Sequence, residues 1–336
     1  MSGYTFDHLL TLSTAIGTFE HADHTGARPE HGYCTDDMAR VLVVTCREPD
    51  PSQAVLQLSR TACRFVAEAQ DVVGRIRNRR SETGRWLDRH GVEDCWGRSL
   101  WGFGTAARRS PVDHVRQMAL AYFGHGVQQR SPHRRAMAFA ALGAAEVLTV
   151  DPRHERARRL VRDAAEVIGR PGDDPAWRWP EARLSYANAA LAEALVVAGD
   201  VLERPDLLAD GLAMLEWLLE RETLDGHLSP TPAGGAGPGD TAPRFDQQPI
   251  EVAAMADASR RAAIVTGDAG WERGTDAAVA WFEGDNDASA AMGDPASGGG
   301  YDGLRADGPN LNQGAESTLA LISTLQLSAS RAAVTV

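Results

Sequence analysis

Two neighbouring stretches, RRAMAFAALGAAEVL (134–148) and HERARRLVRDAAEVI (154–168), carry the reading of the whole chain. Both repeat apolar residues every three or four positions, as helices do. The first is apolar around most of its girth, and such a helix is enclosed. The second carries charge along one face, and such a helix covers a surface. The same alternation runs along all 336 residues. Surface helices are expected at 5–19, 52–70, 111–126, 152–168, 206–221 and 269–282. Enclosed ones are expected at 36–47, 94–108, 133–149, 185–199, 246–265 and 313–327. Strand signals are weak, with aromatics at 6%. Six surface helices alternating with six enclosed ones describe an all-α fold, the (α/α)6 barrel, a toroid of six hairpins in a single domain spanning 1–336. Long loops are expected at about 20–34, 71–92, 170–184, 222–245 and 284–312.

Composition narrows the partners. The net charge is −12 and the pI is near 5.3. A chain of this charge repels phosphate backbones and anionic lipid surfaces, so neither nucleic acid nor a membrane is an expected partner. No run of about 18 apolar residues exists. MSGYTFDHLLTLSTAIGTFE (1–20) lacks the basic region and apolar run of a secretion signal. The four cysteines have no CxxC spacing, and reduced thiols in a cytoplasm are expected. No lysine occurs, so all 34 basic residues are arginine. This excludes Schiff-base chemistry and a phosphate-loop lysine. GxGxxG after a strand is also missing, and no cofactor is expected.

The starts of the enclosed helices carry the chemistry. HGYCTDDMARVL (31–42) places Asp36 beside Asp37, and EDCWGRSLWGFG (93–104) places Glu93 beside Asp94, followed by Trp96 and Arg98. WRWPEARLSYANAA (177–190) adds Trp179, Glu181, Tyr186 and Asn188. RFDQQPIE (244–251) adds Arg244, Asp246, Gln247 and Glu251, and NQGAES (312–317) adds Asn312, Gln313 and Glu316. Capping accounts for one acidic helix start. It does not account for indole, phenol, amide and guanidinium groups recurring beside the acids on the enclosed helices alone. In an (α/α)6 barrel the inner helices run the same way, so these groups are expected to meet at one end.

Amides and carboxylates satisfy sugar hydroxyls, and aromatic faces stack on pyranose rings. Two carboxyls flanking a glycosidic bond cleave it, one as acid and the other as base or nucleophile. Asp37 and Asp94 are the first catalytic candidates, with Asp36 and Glu93 as their capping neighbours; the roles within either pair are interchangeable. Asp246 and Glu316 are further catalytic candidates. His24, His31 and Tyr33 join the expected substrate-binding groups. The loop HADHTGARPEH (21–31) has no recognised zinc spacing, and no metal is expected.

HGYCTDDMARVL, EDCWGRSLWGFG, the WPE–SYANAALAEAL segment, FDQQPIEVAA and GGGYDGLRADGPNLNQGAEST together resemble a bacterial family of six-hairpin (α/α)6 proteins, from about residue 10 to 328. Its members are often labelled glycosyltransferase or glycosidase-like and accompany mannoside phosphorylases. The resemblance implies the barrel and a carbohydrate substrate, and the company kept points to mannose. Nothing in the chain resembles a nucleotide-sugar domain, so the glycosyltransferase label fits poorly. The expected activity is that of a glycoside hydrolase on a small oligosaccharide, with inversion as the usual outcome in this barrel class. The alternatives are an epimerase, isomerase or lyase using a histidine or tyrosine base, and a glycan-binding protein without catalysis.

Overall fold

The computed structural model describes residues 3–334. It falls into two compact units. The N-terminal unit comprises Leu9–Ile168 with Val201–Glu203. The C-terminal unit comprises the residues up to His8, Gly169–Asp200 and the chain from Arg204 onward.

After a short α1 (Asp7–Thr11), the N-terminal unit holds α2 (Thr35–Arg47), α3 (Gln53–Ala69), α4 (Asp94–Arg109), α5 (Asp113–Gly126), α6 (Arg134–Val150) and α7 (Glu155–Ile168). The first expected helix, 5–19, is cut to five residues. Ser13 spends its hydroxyl on the Leu9 carbonyl and on Thr18, and the Thr14 N–H turns back to the Gly17 carbonyl. Hydroxyl side chains that bond locally offer the backbone an alternative to the helix. Elsewhere the boundaries hold to a few residues. Ser52 caps α3 by accepting the Val55 N–H. The α7 helix buries Ala157, Leu160, Val161, Ala164, Ala165 and Ile168 and turns its arginines outward, as its pattern requires.

The contact between α4 and α6 is made by backbone. A Cβ on Gly97 would lie 2.1 Å from the Ala136 carbonyl oxygen, and one on Gly143 would lie 2.1 Å from that of Leu100. Only glycine permits two enclosed helices to approach so closely.

The C-terminal unit holds α8 (Ala189–Val201), α9 (Pro205–Arg221), α10 (Pro249–Thr266), α11 (Glu272–Glu283) and α12 (Ala315–Val334). The expected start of α8 at 185 moves to Ala189, because Ala187 is left-handed (φ 45°) and Asn188 accepts the Ser185 N–H on its side chain. The expected start of α10 at 246 moves to Pro249. Gln247 instead pairs antiparallel with Leu304 and Pro232, and Pro249 suits the first helical turn, where no N–H is needed. Among the described residues, strands are confined to four antiparallel pairs of two or three residues per strand, three of them hairpins and the fourth joining Tyr33–Cys34 to Arg79–Arg80 across α2 and α3. In one of them, Thr223–Leu224 with His227–Leu228, the turn residues Asp225 (φ 50°) and Gly226 (φ 93°) both take positive φ, the requirement of a tight hairpin turn.

Candidate functional site

In the N-terminal unit the starts of α2 and α4 bring Asp36, Asp94 and Arg98 together. Arg98 Nη1 donates to Asp36 at 2.8 Å and lies 3.8 Å from Asp94. Its guanidinium carbon sits 4.8 Å from the Phe139 ring centroid. Asn78, from the 71–92 loop, donates to the other Asp36 oxygen at 2.8 Å, and Asp88 fixes Asn78 by accepting its N–H at 2.6 Å. Burial works to raise the pKa of Asp36. The Arg98 and Arg40 charges and the bonds from Arg98 and Asn78 outweigh it and hold the carboxyl below its usual range.

The adjacent acid has a different fate. Asp37 is buried, accepts from Arg40 and from the Cys34 thiol, and offers no face to a ligand. Asp36 rather than Asp37 therefore joins the Arg98 cluster, and neither side chain caps α2. The N-cap is Cys34, whose sulfur accepts the Asp37 N–H at 3.4 Å. Cys34, Asp37 and Glu20 place donor atoms within 4.8 Å of one another. This set does not suit a cation: Arg40 and Arg79 already neutralise the two carboxylates, and burial beside Asp37 pushes the thiol pKa well up.

Of the other expected binding residues here, Trp96 is fully buried with its indole N–H on the Gly126 carbonyl. Tyr33 is stacked on Phe19 in the core, with its hydroxyl on Thr14. A ring with no open face cannot stack on a sugar, so neither takes the expected role. Glu93 is exposed and folds its carboxylate over Gly91. His24 is exposed beside Asp23, and His31 packs edge-on against His21.

In the C-terminal unit the start of α10 and the 303–310 hairpin bring Asp246 within electrostatic reach of Asp302, a residue the sequence reading did not select. A Cβ on Gly303 would lie 2.6 Å from Asp246 Oδ1, so glycine there leaves room for the carboxyl. Asp246 is exposed, yet the protein packed around it raises its pKa; Arg305 pulls the other way and the Asp302 charge adds to the rise. Asp302 Oδ1 is oriented by the Gly314 N–H at 2.7 Å and the Ser317 hydroxyl at 2.6 Å.

Behind this pair runs a buried polar chain. Trp281 donates to Gln247 Oε1 at 3.3 Å, Gln247 Nε2 donates to Asp287 Oδ2 at 2.6 Å, and Asp287 Oδ1 lies 3.0 Å from His227 Nε2. Gln247 is thus a structural relay rather than an exposed ligand group. Glu251 and Asn188 are likewise buried, with the Glu251 carboxylate accepting from Asn188 and from the N–H groups of Ala187 and Asn188. Gln313 is buried, donating to Asp294 and accepting from Ser297. Trp179 is packed on Trp217 with its N–H on Glu181. Tyr186 is 40% exposed. Glu316 and Asn312 are half-buried, and Arg244 pairs with Asp240 at 3.0 Å.

A second acid missed by the sequence reading is Glu222, at the end of α9. It is buried beside a cavity of about 70 Å³, and one carboxylate oxygen accepts from both the N–H and the hydroxyl of Thr231. Burial outweighs these bonds and pushes its pKa up to about 7.

No family model matches the sequence, and no curated protein sequence matches it either. Solved structures do. A sugar epimerase from a ruminal bacterium superposes with a TM-score of 0.71 at 12% identity, covering 98% of this chain and 96% of the other. The fold is the (α/α)6 barrel. Cellobiose 2-epimerase from Spirochaeta thermophila follows with a TM-score of 0.68 at 12% identity, with 98% and 94% covered. An α-amylase from Clostridium perfringens reaches 0.62 at 12% identity, with 96% of both chains covered. The all-α reading of the helix alternation is thus met by the fold. No described helix is long and apolar enough to cross a membrane.

Proposed function

We propose that the chain is a carbohydrate-active enzyme that hydrolyses a glycosidic bond, with Asp246 as the general acid and Asp302 as its partner carboxylate. The observation that carries this reading is the pair itself. One carboxyl has a pKa raised by its surroundings, and within its electrostatic reach stands a second carboxyl oriented by two donors. Environments that differentiate two adjacent acids divide acid and base roles between them. The substrate class is a small oligosaccharide. The resemblance of the sequence motifs to six-hairpin proteins that accompany mannoside phosphorylases favours mannose, and inversion is the expected course. Tyr186, 40% exposed, is the aromatic group assigned to a pyranose ring in this reading.

A second reading, epimerisation or isomerisation, is favoured by the names of the sugar epimerase and cellobiose 2-epimerase that share the fold. One experiment separates the readings. The protein is incubated with manno- and gluco-oligosaccharides and followed by NMR, beside Asp246→Asn and Asp302→Asn. New reducing ends lost in both variants support hydrolysis, and the first anomer formed gives the stereochemistry. An unchanged chain length with a new reducing-end epimer overturns hydrolysis in favour of the second reading. Intact sugars throughout overturn both.

A further inference from the structure

The buried chain from Trp281 to His227 has a direction that its chemistry fixes. An indole nitrogen can only donate, so Gln247 Oε1 must be the acceptor of Trp281. The Gln247 amide is thereby oriented, and its NH2 group faces Asp287 Oδ2 at 2.6 Å. Asp287 then accepts at Oδ2, and its other oxygen is left for His227, 3.0 Å away. The Asp287 side chain is 2% exposed, and no arginine among the described residues pairs with it. A carboxylate this deeply enclosed needs a donor on each oxygen. His227 must therefore present Nε2–H to it. A neutral imidazole with its proton on Nε2 carries a lone pair on Nδ1. The His227 side chain is 18% exposed, and among the described residues its hydrogen-bond partner is Asp287 alone. The tight turn at Asp225–Gly226 holds the histidine on a two-residue strand rather than a loose loop.

From this geometry we propose that His227 is a ligand-binding residue, whose Nδ1 accepts a hydrogen bond from a carbohydrate hydroxyl while Asp287, Gln247 and Trp281 hold the ring in the required tautomer. Asp287 and Gln247 act through His227 and are positioning residues. The inference rests on the reading that the chain takes a carbohydrate, and goes beyond it in adding a histidine to the binding groups. Three residues of the chain, His227, Asp287 and Trp281, lie outside the acidic helix starts. Their arrangement is the one by which buried carboxylates fix histidine tautomers at sites where a ring nitrogen must face a ligand.

The test uses the full chain labelled with 15N at histidine, and the probes are mannobiose and cellobiose. The free protein is expected to show the His227 ring protonated on Nε2, with Nδ1 shifting on addition of a sugar. In Asp287→Asn the side-chain amide can donate to Nε2, so the tautomer is expected to reverse and the sugar response to vanish. His227→Gln keeps a donor for Asp287 but removes Nδ1. It is expected to keep the unfolding midpoint of the native protein while weakening sugar binding about tenfold, the worth of one hydrogen bond. An Nδ1-protonated ring in the native protein overturns the assignment. So does a sugar that perturbs backbone signals near Asp246 and Asp302 but leaves the His227 ring unmoved, with the carbohydrate reading intact. If neither sugar perturbs any signal and none is transformed, the carbohydrate reading and the His227 assignment fall together.

Discussion

Glu222 should make the stability of this protein depend on pH in a way that one substitution removes. The folded carboxyl has a pKa of about 7, raised from 4.5 by complete burial against the opposing bonds from Thr231. Below pH 4.5 both folded and unfolded chains hold the proton, and the contribution is fully present. Between 4.5 and about 7 the unfolded chain releases the proton while the folded one keeps it, so stability falls as pH rises. Above that range both forms are ionised and the loss is complete. A displacement of this size corresponds to about 3 kcal/mol over the whole window. Glu222→Gln keeps an oxygen for the Thr231 donors and has nothing to ionise. The assay is urea unfolding of wild type and variant at several pH values from 4 to 8. Other carboxylates titrate over the same range, but they cancel in the difference between the two proteins. That difference should grow in favour of the variant by about 3 kcal/mol from pH 4.5 to 7.5 and then level off. A difference independent of pH would refute the reasoning, because it would mean that Glu222 ionises alike in both states.

Three further expectations follow from the packing. Gly143→Ala should lower stability by about 1–3 kcal/mol, since the new methyl meets the Leu100 carbonyl, whereas Gly124→Ala, with nothing within 4 Å, should stabilise slightly; urea midpoints compare the two. Arg98→Met should cost about 3 kcal/mol at neutral pH by removing the cation that is hydrogen-bonded to Asp36, and the deficit should shrink in acid as Asp36 takes a proton; carboxyl 13C titration should show the Asp36 pKa rising. The four cysteines are all buried and free, with burial pushing Cys46 to about 11 and Cys63 to about 12, so iodoacetamide at pH 8 should label none in the native protein and all four in urea.

Helix type was legible in the sequence because it rests on local periodicity. The apolar girth of 134–148 and the charged stripe of 154–168 are properties of each segment alone, and α6 and α7 follow them within three residues. The acids at the enclosed helix starts were legible for the same reason, and Asp36, Asp94, Arg98 and Asp246 were all selected there. What each of them touches was not. Asp36 and Asp37 are neighbours with identical side chains, and one helical step of about 100° sends one toward Arg98 and the other into the core with Arg40. Trp96 and Tyr33 look like sugar platforms in a string of letters and prove to be core, because burial is decided by what packs against them.

Asp302, His227, Asp287 and Glu222 escaped the reading because they lie outside the periodic segments, in hairpins, loops and a helix end. The only local hint was position: Asp302 falls within GGGYDGLRADGPNLNQGAEST, and His227 follows a turn-forming Asp-Gly. Their partners lie many residues away in the chain: Asp287 is 60 residues from His227, and Gln247 is 40 from Asp287. The sequence by itself determined which segments are helices, which of them are enclosed and where their acidic ends fall, since each is a property of a few consecutive residues. Only the tertiary structure decided which acid is neutralised, which is paired and which ring nitrogen is left open, because charge, burial and hydrogen bonding depend on groups that the fold alone brings within reach.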